Sequence, residues 1–446
     1  MDITFILEGL VVLGAIVMGT RAGGVGIGLW GGLGVAILVF VFQEPPGEPP
    51  ISALLIILAV VTAASMMQVA GGVDWMVKVA AGVIQAHPKQ ITVIAPLTAF
   101  AFTVGAGTSN IMYPLLPVIY DVSYQNNIRP SRPLTVAVVQ SGMSLAASPV
   151  SAAMAAMLTL TAVAPYNFDL AQILSITIPA GIIGIIVTAL FVGRMGLDID
   201  DDPEIQAKIA SGELPKPGAS GTKIELTATK EGRNAGIIFL LGVVAIVIFG
   251  LFPDLRPSFG AEGEAVPIDM TTTIELVMFS VGVLIMLVAR PDVSQVPEAS
   301  VFKAGMVSAI ALFGIAWLTA TFIAAHEEFI VTTIGGWVNN ATWIFALAIF
   351  LVAALTTSQS TATRTIVPIG LAAGLAPGLV TGMWGGALGG VYTLPANGTQ
   401  IAAANFDLTG STKLGTKLLD HSFFVPMLIM TVVSVVVGAL IGVIFY

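Results

Sequence analysis

The chain has 446 residues, of which 56% are hydrophobic and only 10% charged, against roughly 25% charged in an ordinary soluble domain. A mean hydropathy of +0.96 and a pI near 4.8 exclude a soluble globular protein and argue against a nucleic-acid partner. There is no cysteine, so disulfides and thiolate metal sites are out.

The N-terminus, MDITFILEGL, has acids and no basic stretch, so its first apolar run reads as a retained span and not a cleaved signal. About 20 apolar residues at 1.5 Å each cross the hydrocarbon core. Ten runs qualify: 3–20, 23–42, 51–70, 134–163 (interrupted), 173–192, 235–252, 272–289, 302–324, 379–404 (interrupted) and 422–446. They predict an all-α polytopic membrane protein. Two more apolar stretches, 91–122 and 342–375, are broken near their centres by Gly, Ser, Thr and Asn, and are read as re-entrant hairpins. The one long polar stretch, 198–233, has mixed charge and Pro-Gly punctuation. It is expected to be a solvated cytoplasmic tether with one short helix at 203–211. The chain thus divides into a first unit (1–195), a linker (196–234) and a second unit (235–446).

Short cytoplasmic loops collect Lys and Arg, while acids contribute little to that bias. With the N-terminus outside, fifteen of the 17 basic residues fall inside, Arg256 falls outside and Arg364 lies within the second hairpin. Both termini are therefore expected in the periplasm of a bacterial inner membrane.

Each unit reads as three spans, an amphipathic stretch, a hairpin, an interrupted span and a final span. The first unit opens from outside and the second from inside, which is an inverted-topology repeat. Such repeats form their binding site near the bilayer midplane, between broken elements. The first tip holds Thr108, Ser109 and Asn110, and the first break reads Ser148, Pro149, Val150, Ser151. The second tip holds Ser358, Gln359, Ser360, Thr361, Thr363 and Arg364, and the second break includes Asn397, Gly398 and Thr399. Broken helices aim N-terminal N–H groups at anions. An arginine near membrane depth is a functional candidate by default, and its planar fork suits a carboxylate. Backbone carbonyls near Ser109 and Ser360 are candidates for sodium, and a proton is the other candidate coupling ion. No cofactor or resident metal is expected. Glu8, Asp121 and the three histidines read as interfacial, and Asp407 and Thr409 as capping residues. An intramembrane enzyme would need a nucleophile, base or metal cluster at one depth, and none is seen. A sensor would need a signalling domain larger than the linker.

At GGVGIGLWGGLGVAILVF (23–40), MQVAGGVD (67–74), AGTSN (106–110), LPVIYDV followed by NNIRPSRPL, SPVSAA (148–153), VFKAGM (301–306), TSQSTATR (357–364), DLTGST (407–412) and DHSFF (420–424), the chain resembles the anaerobic C4-dicarboxylate transporter (Dcu) family of the ion transporter superfamily. The resemblance implies exchange of fumarate, succinate, malate or aspartate by a homodimer with an elevator-like moving unit. The chain departs from that pattern at Ser109, where Gly is usual, at Ser360, where Ala is usual, and at LPANGT (394–399), where LPTYPT is common.

The basic-residue bias makes one direct prediction. A cysteine placed at Gly218 should stay unlabelled by a membrane-impermeant thiol reagent in intact cells, and labelling there reverses the orientation.

Overall fold

The computed structural model describes residues 3–22, 24–217, 227–260, 266–329, 341–356, 358–395, 397–415 and 419–446. Gly218, Lys223 and Lys417, all used in reading the topology, lie outside these residues.

In the first unit α1 (Ile3–Ala22), α2 (Gly26–Phe40) and α3 (Ile51–Val69) precede α4 (Gly72–Ala86). The α3–α4 pair bends by 74° at Gly71, whose φ of +82° suits a residue without a side chain. α4 is the amphipathic stretch, burying Met76, Val77, Ala80, Ala81 and Ile84. The first hairpin is α5 (Ile91–Ala106) and α6 (Met112–Gln125), and the interrupted span is α7 (Ser131–Ala146) and α8 (Ala152–Thr161). α9 (Leu170–Val192) starts at a capping box between Asp169 and Gln172.

The linker carries α10 (Pro203–Ala210), and the second unit opens with α11 (Lys230–Leu251), α12 (Met270–Val288) and α13 (Ser300–Ala325). A two-residue ladder, Ser258–Phe259 against Val266–Pro267, joins α11 to α12. The second hairpin is α14 (Trp343–Thr356) and α15 (Gln359–Ala372). The second interrupted span is α16 (Pro377–Met383), α17 (Gly385–Gly390) and α18 (Gly398–Phe406), and α19 (Phe424–Phe445) closes the chain.

All ten predicted runs and both hairpins contain helix where expected. Among the described residues six helices are long and apolar enough to cross a membrane alone, and a seventh arises if α3 and α4 count together. Five of the ten predicted runs are among these six, and the sixth is hairpin arm α5 with the turn before it (Pro88–Ala106). Of the other five runs, the two interrupted spans are split into halves too short to cross singly, α2 has only 15 residues, α1 counts as a shorter apolar helix over Ile3–Gly19, and α3 passes only together with α4.

Packing repeats between the units. α1 lies on α2 as α11 lies on α12, and α2 lies on α13 as α12 lies on α3. Hairpin arm α5 packs on α7 as α14 packs on α17, and α8 meets α15 as α18 meets α6. Helices cross at glycine in lipid because apolar burial gives no advantage between helices there, and close backbone approach does. A Cβ at Gly314 would lie 1.9 Å from Gly28 O, and one at Gly382 would lie 2.3 Å from Gly438 O.

Two expectations are corrected. Glu8 does not snorkel to an interface: it is wholly buried, with His326 Nε2 2.9 Å from its Oε2, because α1 packs its face inward against α13. The linker is not a free tether over its described part. Ile199, Ile205 and Leu214 bury against Tyr124 at the end of α6, whose hydroxyl donates to Pro215 O at 2.6 Å. Arg132 pairs with Asp198 at 2.5 Å, Arg129 pairs with Asp202, and Lys208 Nζ donates to Thr409 O at 3.1 Å. Asp407, as expected of a capping residue, accepts from Thr409 N, Ser411 Oγ and Thr412 N. The linker therefore ties the first hairpin to the turn after α18.

Burial works to raise the Asp202 carboxyl, but Arg129 and the Ile205 and Glu204 amides outweigh it and hold it below the usual carboxylate range. A lowered folded-state value stabilises above the unfolded value and is lost as pH falls through the folded one. Asp202→Asn should therefore cost about 1–3 kcal/mol in detergent melts at neutral pH. The gap to wild type should close only below about pH 4, the ordinary carboxylate range.

Candidate functional site

The first tip turns at Gly107, where φ is +70° and a Cβ would sit 2.6 Å from Val150 O. Only glycine lets the tip backbone reach the break backbone this closely. Thr108 Oγ1 accepts from Asn110 N at 3.2 Å and starts the short turn Ser109–Ile111 that runs into α6. At the break, Ser148 Oγ donates to Val104 O at 2.7 Å and laces the interrupted span to hairpin arm α5. Ser151 Oγ donates to Leu145 O at 2.6 Å and accepts from Met154 N at 3.0 Å, so it closes α7 and caps α8 together.

At the second tip Ser358 Oγ accepts from Thr361 N at 3.1 Å and Thr361 Oγ1 at 2.9 Å, capping α15. Thr363 Oγ1 donates to Gln359 O at 2.8 Å and accepts from the buried indole of Trp384 at 2.7 Å.

A cavity of about 210 Å³ opens between these parts. At roughly 30 Å³ per liquid water, that is room for a molecule of a few carbons. Thr108, Ser109 and Asn110 line it from the first tip, Val150 and Ser151 from the break, and Gln359 and Ser360 from the second tip. The opposite wall is α3 and α13, from Ile56 to Ala64 and from Val301 to Ser308. Three helix starts, at α8, at α15 and at the turn leading into α6, thus face one cavity. Their combined N-terminal N–H groups favour an anion. No acidic side chain is in the lining.

The other predicted residues are not in this cavity's lining. Ser148 and Pro149 are buried behind the break, and Thr361 and Thr363 point into the packing of α15. Arg364 is 1% exposed and sits one turn beyond Ser360, on the same face of α15. Its Nε and Nη2 are buried with no hydrogen-bond partner, and among the described residues no carboxylate lies within ion-pair distance. Asn397, Gly398 and Thr399 form a separate corner. Asn397 caps α18 in a box with Gln400, Thr399 Oγ1 donates to Asn397 Oδ1 at 2.8 Å, and Gly398 abuts the Tyr113 hydroxyl. The Tyr392 hydroxyl meets Ser141 Oγ at 2.9 Å. Among the described residues no group of three or more His, Asp or Glu could hold a metal ion.

Sequence reading missed the α3–α13 wall, including Ser308, because eight of its nine residues sit within ordinary apolar runs. It also missed Tyr113 and Tyr392, which no motif flags.

A polytopic helical protein whose two hairpin tips and first helix break enclose an anion-favouring cavity has the build of a membrane transporter. Its fold is shared with the Alcanivorax borkumensis YdaH transporter, at a TM-score of 0.56 and 13% identity over 86% of this chain and 84% of that one. Neisseria gonorrhoeae MtrF shares it at a TM-score of 0.51 and 14% identity, over 92% and 84%. The chain belongs to the anaerobic C4-dicarboxylate membrane transporter family, which matches residues 4–446. It is 34% identical over 439 residues to the anaerobic C4-dicarboxylate transporter DcuB of Escherichia coli O6:H1, covering 97% of each chain. It is 33% identical to the C4-dicarboxylate transporter DcuA of Escherichia coli K12, over 98% of this chain and 99% of that one, and equally to DcuA of Wolinella succinogenes.

Gly107→Ala should cost about 1–3 kcal/mol through the strained φ and the contact with Val150 O, and should stop uptake in membranes where the protein still inserts. Wild-type uptake by that variant would show that the tip does not need this close approach.

Proposed function

We propose that the chain exchanges C4-dicarboxylates across a bacterial cytoplasmic membrane by alternating access. The dianion would occupy the cavity between the two tips and the first break, with the helix starts holding one carboxylate and Arg364 meeting the other. The observation that carries this reading is Arg364: a buried cation without a counter-charge among the described residues, one turn from the cavity residue Ser360. Leaving such a charge unpaired costs several kcal/mol, and an anionic substrate relieves the cost.

The repeated packing of the two units supports an internal repeat, and the bias of basic residues to one side supports an inverted one with both termini periplasmic, in which the hairpins enter from opposite sides. The cavity lies at the seam between the tips and the apolar α3–α13 wall, which fits an elevator-like movement of the hairpin unit in a dimer. Exchange is favoured over proton coupling because no acid lines the cavity. Sodium remains the alternative coupling ion, although the Ser109 carbonyl already accepts from Met112 N.

Preloading proteoliposomes with succinate should accelerate uptake of labelled fumarate without a sodium gradient. Equal uptake by empty and preloaded vesicles, driven by sodium, replaces exchange with symport. Arg364→Ala should lose about 2–5 kcal/mol of succinate binding, the usual cost of removing one partner of a desolvated charge pair. Arg364→Lys should retain weak transport with poorer discrimination among C4 acids, since it keeps the charge and loses the fork. Succinate binding to folded Arg364→Ala at wild-type affinity makes Arg364 structural.

A further inference from the structure

The cavity has two kinds of wall. One is the polar set of tips and break. The other is α3 and α13, and of the nine residues these two helices contribute, only Ser308 has a polar side chain. On the same helix Thr319 and Thr321 satisfy their hydroxyls by donating to carbonyls one turn back, Ile315 O at 2.9 Å and Trp317 O at 2.9 Å. That is the ordinary use of Ser and Thr in membrane helices. Ser308 shows no such bond among the described residues. It is half-buried and lines the same cavity as Ser109 and Ser360. A hydroxyl left free on an otherwise apolar wall is a poor helix–helix contact and a good hydrogen-bond donor to a carboxylate oxygen.

We propose that Ser308 is the wall's contact with the bound dicarboxylate, made in one facing state and broken in the other, so that it sets the difference in affinity between the two sides of the membrane. This rests on the elevator-like exchange proposed above. If the tips and break carry the substrate past a wall that stays in place, contacts from the tips travel with it. A contact from α13 does not. Apart from Ser308 the wall offers only hydrocarbon and backbone, so the substrate slides along it without a second polar stop. Ser308 therefore acts on one side's affinity alone, as a specificity residue for sidedness and not for the choice of C4 acid.

The test uses wild type, Ser308→Ala and Ser308→Thr in proteoliposomes of defined orientation, with half-saturating succinate measured separately at each face by counterflow. Ser308→Ala should weaken succinate about tenfold or more at one face, the usual worth of a hydrogen bond to a charged group, and stay within about twofold at the other. Ser308→Thr, which keeps the hydroxyl, should restore most of the loss. Equal weakening at both faces, or none at either, overturns the proposal while wild-type exchange leaves the transport reading standing. Wild type that shows no exchange from either face overturns both. Because the chain has no cysteine, Ser308→Cys gives an independent readout: succinate should protect it from an impermeant thiol reagent applied at the affected face. Labelling there that succinate does not slow counts against the proposal.

Discussion

A guanidinium held in an apolar interior with no counter-charge among the described residues is the constraint around which the rest of this structure is arranged. Arg364 is fully enclosed, and two of its nitrogens have no partner. Every described Lys or Arg with an ion pair has it outside the helical core, at the linker, at the loop before α13, or in Lys413; inside the core, His326 faces Glu8. An unpaired ion of this kind is the costliest thing a packed interior can carry, and proteins that could replace it with an apolar side chain gain stability by doing so. Its presence next to an anion-favouring cavity reads as a stability cost retained for binding.

The cavity exists because helices start and stop inside the protein at the two tips and the first break, and each such end leaves backbone groups to satisfy. The chain meets this with short side chains placed where the breaks fall. Ser151 serves both sides of one break, Ser358 caps α15, Asn397 caps α18 and Ser148 ties its break to the neighbouring hairpin. These hydroxyls are thereby spent on the fold. The polar side chains left for a ligand are the ones that cap nothing: Ser109, Asn110, Gln359, Ser360 and Ser308, all in the cavity lining. The division of labour between fold and site is thus visible residue by residue.

Much of this was legible in the sequence. Long apolar runs, the polar centres of 91–122 and 342–375, and the breaks at Ser148–Ser151 and 394–399 located the elements, because lipid leaves few ways to satisfy a backbone. The breaks were read correctly as breaks, yet sequence could not say which of their polar residues face a ligand. Ser148 and Ser151 look alike in SPVS, and only packing shows one buried behind the other. Asn397–Thr399 and the first break occupy equivalent places in the two units, yet Tyr113 fills the space at Gly398 that lies open at Val150 and Ser151. Ser308 carried no signal in an apolar run, since its meaning lies in what faces it. The linker's docking was likewise hidden, because Arg129, Arg132 and their acidic partners are about 70 residues apart.

The most direct measurement is the melting temperature of Arg364→Met in detergent, with and without succinate, beside wild type. If Arg364 is kept for the substrate, ligand-free Arg364→Met should melt above ligand-free wild type, and succinate should raise the melting temperature of wild type only. A variant that melts below wild type and is still stabilised by succinate would contradict the account, since Arg364 would then be part of the scaffold and the anion would bind without it.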